Sequence, residues 1–299
     1  MRLTLMAGLA FALVQQPAPN PASPAPFDIY VLAIPNGVAS MKTAAPQPMA
    51  TKPGYDNQPA FSPDGSRVLF AANRDGQQTD IYAYVRADTR TVQLTTTTKT
   101  NENSPTPLPS GSGFSVVMSE EDKTQRLWSF DNAGGNPKML LTDIKPVGYH
   151  AWLDADRVAL FVLGPPATLQ LASLKTGKAE MLASDIGRSL HRIPGTSKAS
   201  FVHHEASGEY WVKSLDPSTK AIERLVKAVE GSSDRDMAWM PDGKTILMSS
   251  GTKIFSWTRG AKDWIEVFDA APHHLAAVTR LAVSPKGDGV AFVVAEPKR

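Results

Sequence analysis

The stretch Asn57–Phe70, NQPAFSPDGSRVLF, decides the fold, because its skeleton returns as MAWMPDGKTILM (Met237–Met248) and as RLAVSPKGDGVAFV (Arg280–Val293). In each copy a short apolar run enters a Pro-x-Gly turn and a second apolar run leaves it. Proline presets the first turn dihedral and glycine takes up the left-handed one, so the skeleton reads as two strands joined by a tight reversal. Three looser copies lie between: PTPLPSG around Pro109, HAWLDAD with Asp154 in the proline's place, and LHRIPGT around Pro194. Anchored at Pro63, Pro109, Asp154, Pro194, Pro241 and Pro285, the six units are spaced by 46, 45, 40, 47 and 44 residues. A period near 44 is the length of a four-stranded propeller blade.

Each unit continues in the same grammar. After the turn comes an apolar strand (RVLFAA, FSVVMS, RVALFVL, ASFVHH, TILMSS, GVAFVVA). A strand rich in aromatic or branched residues follows (DIYAYV, RLWSF, LQLASL, YWVKSL, KIFSWT), and then a more polar one (TVQLTT, PKMLLT, AEMLAS). Such runs bounded by Gly, Pro, Asp and Asn are strand signals. TKAIERLVKAVE (Thr219–Glu230) is long enough for two helical turns but fits the grammar as a fourth strand. The sixth unit lacks its outer half. The missing piece is FDIYVLAI (Phe27–Ile34), whose pattern matches TDIYAYV (Thr79–Val85), with a fourth strand expected around Gln47–Thr51. The reading is therefore all-β: a six-bladed β-propeller of four-stranded antiparallel blades over residues 27–299, closed by pairing of N- and C-terminal strands in the last blade. Such closure leaves no exposed sheet edge.

The N-terminus reads differently. One charge, Arg2, precedes an apolar run from Leu3 to Val14, the length of a signal-peptide core and too short for a bilayer span. Residues 1–16 are expected to be a signal peptide and 17–26, PAPNPASPAP, an extended spacer. Export to the periplasm or beyond follows as an expectation. The net charge of +2 and the lack of a basic face argue against nucleic acid. The absence of cysteine excludes disulfides, thiol catalysis and zinc-thiolate sites. No Gly-x-Ser-x-Gly elbow, phosphate-binding loop or calcium-loop spacing is present.

These units resemble the WD40-like PD40 repeats of TolB-like six-bladed propellers; NQPAFSPDGSRVLFAANRDGQQTDIYAY carries the resemblance most fully, and the units at Asp234 and Ala277 follow it well. The resemblance implies the fold and leaves the activity open, since such rings serve as scaffolds, sensors and enzymes. Relatives with an added N-terminal domain or a hydrolase domain depart from this chain, where a short spacer precedes the ring and the chain is expected to end with it.

In a propeller the innermost strands line the channel, and the residues just before them ring one mouth. Aligned on the turns, these are Asp56 and Asn57; Glu102 and Asn103; Tyr149 and His150; Arg188 and His191; Asp234 and Asp236; and Arg280. They are the expected ligand-binding residues, for a peptide, glycan or protein partner, in a monomeric, non-enzymatic binding module without a cofactor. The alternative reading is a metal-assisted lyase or lactonase-type enzyme, with His150, His191 and an acid among Glu102, Asp234 and Asp236 holding the ion. Trp152 and Trp239, on the inner strands, and Trp128, Trp211 and Trp257, on the third strands, are expected to fill the space between blades.

Overall fold

A computed structural model of the chain describes residues 26–74, 76–231 and 235–296. The expected signal peptide, nearly all of the spacer, and Asp234 lie outside the described residues.

The chain is all-β, and each unit is an antiparallel meander of four strands. In the first, Tyr55–Phe61, Arg67–Asn73, Asp80–Val85 and Arg90–Gln93 pair in order. The second to fifth units form four separate four-stranded sheets with inner strands Asn101–Pro107, Val147–Trp152, Ile186–Arg192 and Met237–Trp239. Ile222–Lys227 is the outer strand of the fourth, so the helix-like stretch is a strand after all. The last sheet joins the two ends of the chain. Val278–Val283 pairs with Gly289–Ala295, which pairs along its whole length with Phe27–Ala33, from Phe27↔Ala295 to Ala33↔Gly289. Gln47–Ala50 then adds to Phe27–Ala33, as the sequence pattern anticipates. A single parallel bridge, Phe27↔Tyr55, links this sheet to the first unit.

The core lies between neighbouring sheets. Phe70, Phe114, Phe201 and Phe292, one on the second strand of four different units, are fully buried. Trp152 and Trp239 are buried too, and each donates its indole N–H to a serine on the preceding unit's second strand: Trp152 to Ser115 and Trp239 to Ser200, both at 2.8 Å. These side chains fill the wedge while satisfying their one polar atom. Trp257 is likewise buried, whereas Trp128 and Trp211 keep partial exposure.

The turns also pack on one another. A Cβ on Gly65 would meet Ser284 Oγ at 3.3 Å, and one on Gly243 would meet the Pro194 carbonyl oxygen at 2.5 Å. The recurring Pro-x-Gly therefore serves two needs, the reversal itself and close approach to the preceding unit's turn. Gly243 (φ +62°) and Gly111 (φ +72°, with nothing within 4 Å of its Cβ) separate these needs. Gly111→Ala should cost only the left-handed backbone term, about 1–2 kcal/mol. Gly243→Ala adds a collision with backbone and should cost roughly 3 kcal/mol or more. Equal losses in urea titrations of the two variants would mean that the turns do not touch.

Candidate functional site

The inner strands are not straight. Each of five carries a register irregularity near its start: between Asn57 and Ala60, Asn103 and Thr106, Val147 and Tyr149, Ile186 and Leu190, and Val278 and Arg280. An added residue bends the strand and re-aims its side chains. Gln58 (φ 59°) and Ser104 (φ 54°) turn left-handed at this place. The consequence is one level of side chains, five positions before each turn anchor, from every unit: Gln58, Ser104, Tyr149, Ser189, Asp236 and Arg280. All six line a cavity of about 410 Å³ enclosed by the inner strands and reaching Pro109 and Pro194 in the turns.

This level is laced from unit to unit. Gln58 Oε1 accepts the Ser104 backbone N–H at 2.7 Å, Ser189 Oγ accepts that of Met237 at 3.0 Å, and Asp236 Oδ1 accepts that of Leu281 at 3.0 Å. The irregularity between Asn103 and Thr106 takes the Ser104 N–H out of its own ladder, and buried donors need acceptors. Across the cavity, Arg280 of the sixth unit donates through Nη2 to the Tyr149 hydroxyl of the third at 2.6 Å. Arg188 Nη2 donates to the Thr279 carbonyl at 2.9 Å. Asp236 Oδ2 lies 3.8 Å from Arg280 and 3.9 Å from Arg188, too far for hydrogen bonds. Burial opposes the charge on Arg280, but Tyr149 and Asp236 outweigh it and raise its pKa. Burial also pushes the nearby Tyr55 phenol up to about 12, against the pull of Arg280. Together these groups form a floor, and the cavity above it is a cup.

Above the floor, the residues three before each anchor are Ala60, Thr106, Ala151, His191, Ala238 and Ala282, all lining the cup. Small side chains here keep the space open. On one side the wall is Pro59, Pro105 and Pro107, which carry no backbone donor.

Of the expected residues, Tyr149, His150, Arg188, His191, Asp236 and Arg280 line the cup. Asp56, Asn57, Glu102 and Asn103 do not, because the bends at Gln58 and Ser104 put those later residues on the cavity instead. Asp56 is fully buried and receives two N–H groups from Arg74, Nη1 to Oδ2 at 3.0 Å. Asn57 is buried and accepts the Gln58 N–H at 2.8 Å. Glu102, also fully buried, is solvated by three hydroxyls of the TTTTKT run: Thr95 at 3.1 Å, Thr97 at 2.5 Å and Thr100 at 2.8 Å. Gln58, Ser104 and Ser189 were missed by the sequence reading. The signal available was the polar or aromatic residue at one fixed offset in all six units.

Burial keeps His150 and His191 uncharged near neutrality. His150 Nε2 lies 2.6 Å from Ser115 Oγ, which also accepts from Trp152 and has the Thr106 carbonyl at 3.2 Å for its own proton. That arrangement favours Nε2–H as donor, leaving only a lone pair on the buried, unpartnered Nδ1. Burial drives the pKa of His150 down to about 3 and that of His191 to about 4. Among the described residues no three His, Asp or Glu side chains converge as a cation site needs.

No protein-family model and no curated protein matches the sequence. Solved structures match its fold. A protein from Agrobacterium tumefaciens described as a TolB superposes with a TM-score of 0.71 over 92% of this chain and 99% of its own, at 16% identity. TolB from Acinetobacter baumannii gives 0.57 over 92% of this chain, which spans 65% of that protein's length, at 14% identity. An oligogalacturonate lyase in complex with manganese gives 0.54 over 81% of this chain and 70% of its own, at 16% identity. The fold is a TolB-like β-propeller.

Proposed function

We propose that the chain closes into a ring of six four-stranded blades and works as a non-enzymatic binding module, holding a small ligand or the tip of a peptide, glycan or protein partner in the cup. In such a ring the third and sixth units stand opposite, so the Arg280–Tyr149 hydrogen bond spans the channel and the cup has a single mouth. The observation that carries the reading is the floor: all six units contribute to it, hydrogen bonds lace it, and alanines keep the space above it open. Its volume falls within the range of small-molecule sites. Export, supported by the apolar run Leu3–Val14, would place the ring in the periplasm or outside the cell; among the described residues no helix is long and apolar enough to cross a membrane.

The test is to fill the cup. Ala282→Trp adds a bulky side chain to its wall, where Ala282 is only partly buried. Peptides or glycans that the wild type captures on arrays should be lost by the variant, while its melting temperature stays within a few degrees. Retention of the same hits would move binding to another surface.

A further inference from the structure

We propose that the cup selects ligands by an oxyanion, a carboxylate or a phosphate, seated on Arg280 with an apolar group lying against the proline wall. The inference deepens the binding reading and rests on it. Arg280 has five N–H donors and makes one hydrogen bond, to the Tyr149 hydroxyl. Among the described residues its ion-pair partner is Asp236, which stands off at 3.8 Å and already accepts the Leu281 N–H. A guanidinium whose side chain is only 13% exposed thus lacks the forked partner that its geometry suits, and it lines an open cavity.

The charges around it point the same way. Arg188, Arg192 and Arg280 all line the cup, and both lining histidines are neutral at pH 7. The opposite wall offers Pro59, Pro105 and Pro107, rigid and without N–H groups, and so fits an apolar body better than a polar one. An anion entering from the mouth would displace the water on Arg280 and take up its free N–H groups, with the Tyr149 hydroxyl beside it. Low dielectric around a largely buried cation strengthens that contact. The desolvation of a ligand carboxylate is offset only if it is hydrogen-bonded, and a forked pair does that.

Matched probes test this by calorimetry: 3-phenylpropionate, phenyl phosphate, neutral 3-phenylpropanamide, and a tripeptide ending in phenylalanine with its C-terminus free or amidated. The wild type should bind at least one anion about tenfold or more tighter than its neutral counterpart, with affinity falling as salt rises. Preference for phenyl phosphate over the acids assigns the oxyanion as phosphate. Tight binding of only the free tripeptide assigns it to a chain terminus. Arg280→Gln should erase the preference, Arg280→Lys should keep part of it, and Asp236→Asn should increase it. Equal binding of propionate and amide would overturn the proposal while leaving the cup as a binding site. Failure of every anion to bind would also overturn it, whereas the Ala282→Trp arrays judge the binding reading separately.

Discussion

Acidification from pH 7 to pH 4 should cost the fold roughly 3–4 kcal/mol, with two histidines responsible. In the unfolded chain each imidazole takes up a proton near pH 6.5; in the fold His150 does so near 3 and His191 near 4. The unfolded state therefore binds more protons across this window, and stability falls as pH drops from 6.5. At pH 4 each histidine accounts for about 3 kcal/mol, less for His191, which keeps some contact with solvent. Asp56 acts in the opposite sense. Burial raises its folded pKa from 3.8 to about 6, against the hydrogen bonds from Arg74, so it holds its proton in the fold after losing it in the unfolded chain. Its contribution is full below 3.8 and lost as pH rises to 6, about 3 kcal/mol in all. Two histidines outweigh one aspartate, and acid wins. His150→Gln, which keeps a donor near Ser115, should flatten the profile by about 3 kcal/mol between pH 7 and 4. Urea titrations at pH 7, 5.5 and 4 measure this; an unchanged profile in the variant would place the titration elsewhere.

The Asp56–Arg74 pair carries the second large effect. Arg74→Met at pH 8 removes both N–H donors from a carboxylate with no exposure and should cost about 3–5 kcal/mol. Asp56→Asn in the same chain should recover most of that loss, because no charge is then left behind. The variant's Asp56 would hold its proton to still higher pH. The gap between Arg74→Met and wild type should therefore close as pH falls toward 4, where both carboxyls are neutral. Equal gaps at pH 8 and pH 4 would show that Arg74 contributes through packing, as in its position over the Tyr82 ring, 5.6 Å from the centroid.

The sheet architecture was legible because it repeats. Pro63, Pro241 and Pro285 mark turns of one kind, and FDIYVLAI declares itself a third strand by matching TDIYAYV. The site was legible only in part, because its register depends on backbone dihedrals that no residue type announces. Gln58 and Ser104 are neither Gly nor Asn, yet they turn left-handed, and that moves Asp56 and Glu102 from the channel into the packing. The threonine run looked like a polar loop because the carboxylate it serves, Glu102, is two residues beyond its last member. Arg280 and Tyr149 were each found, but their contact joins residues 131 apart and belongs to the folded molecule alone.

The pairing of Phe27–Ala33 with Gly289–Ala295 sets an order of events during biosynthesis. Among the described strands the first to be translated waits for the last, since Phe27 and Ala295 are 268 residues apart. Joining them in an otherwise flexible chain would cost about 5 kcal/mol of loop entropy, so the seam should be the final contact made. A ribosome stalled before Gly289 would hold a chain whose opening strand, with Ile29 and Leu32 destined for full burial, has no mate. Such a nascent chain offers chaperones and proteases the edge that Gly289–Ala295 covers in the folded molecule.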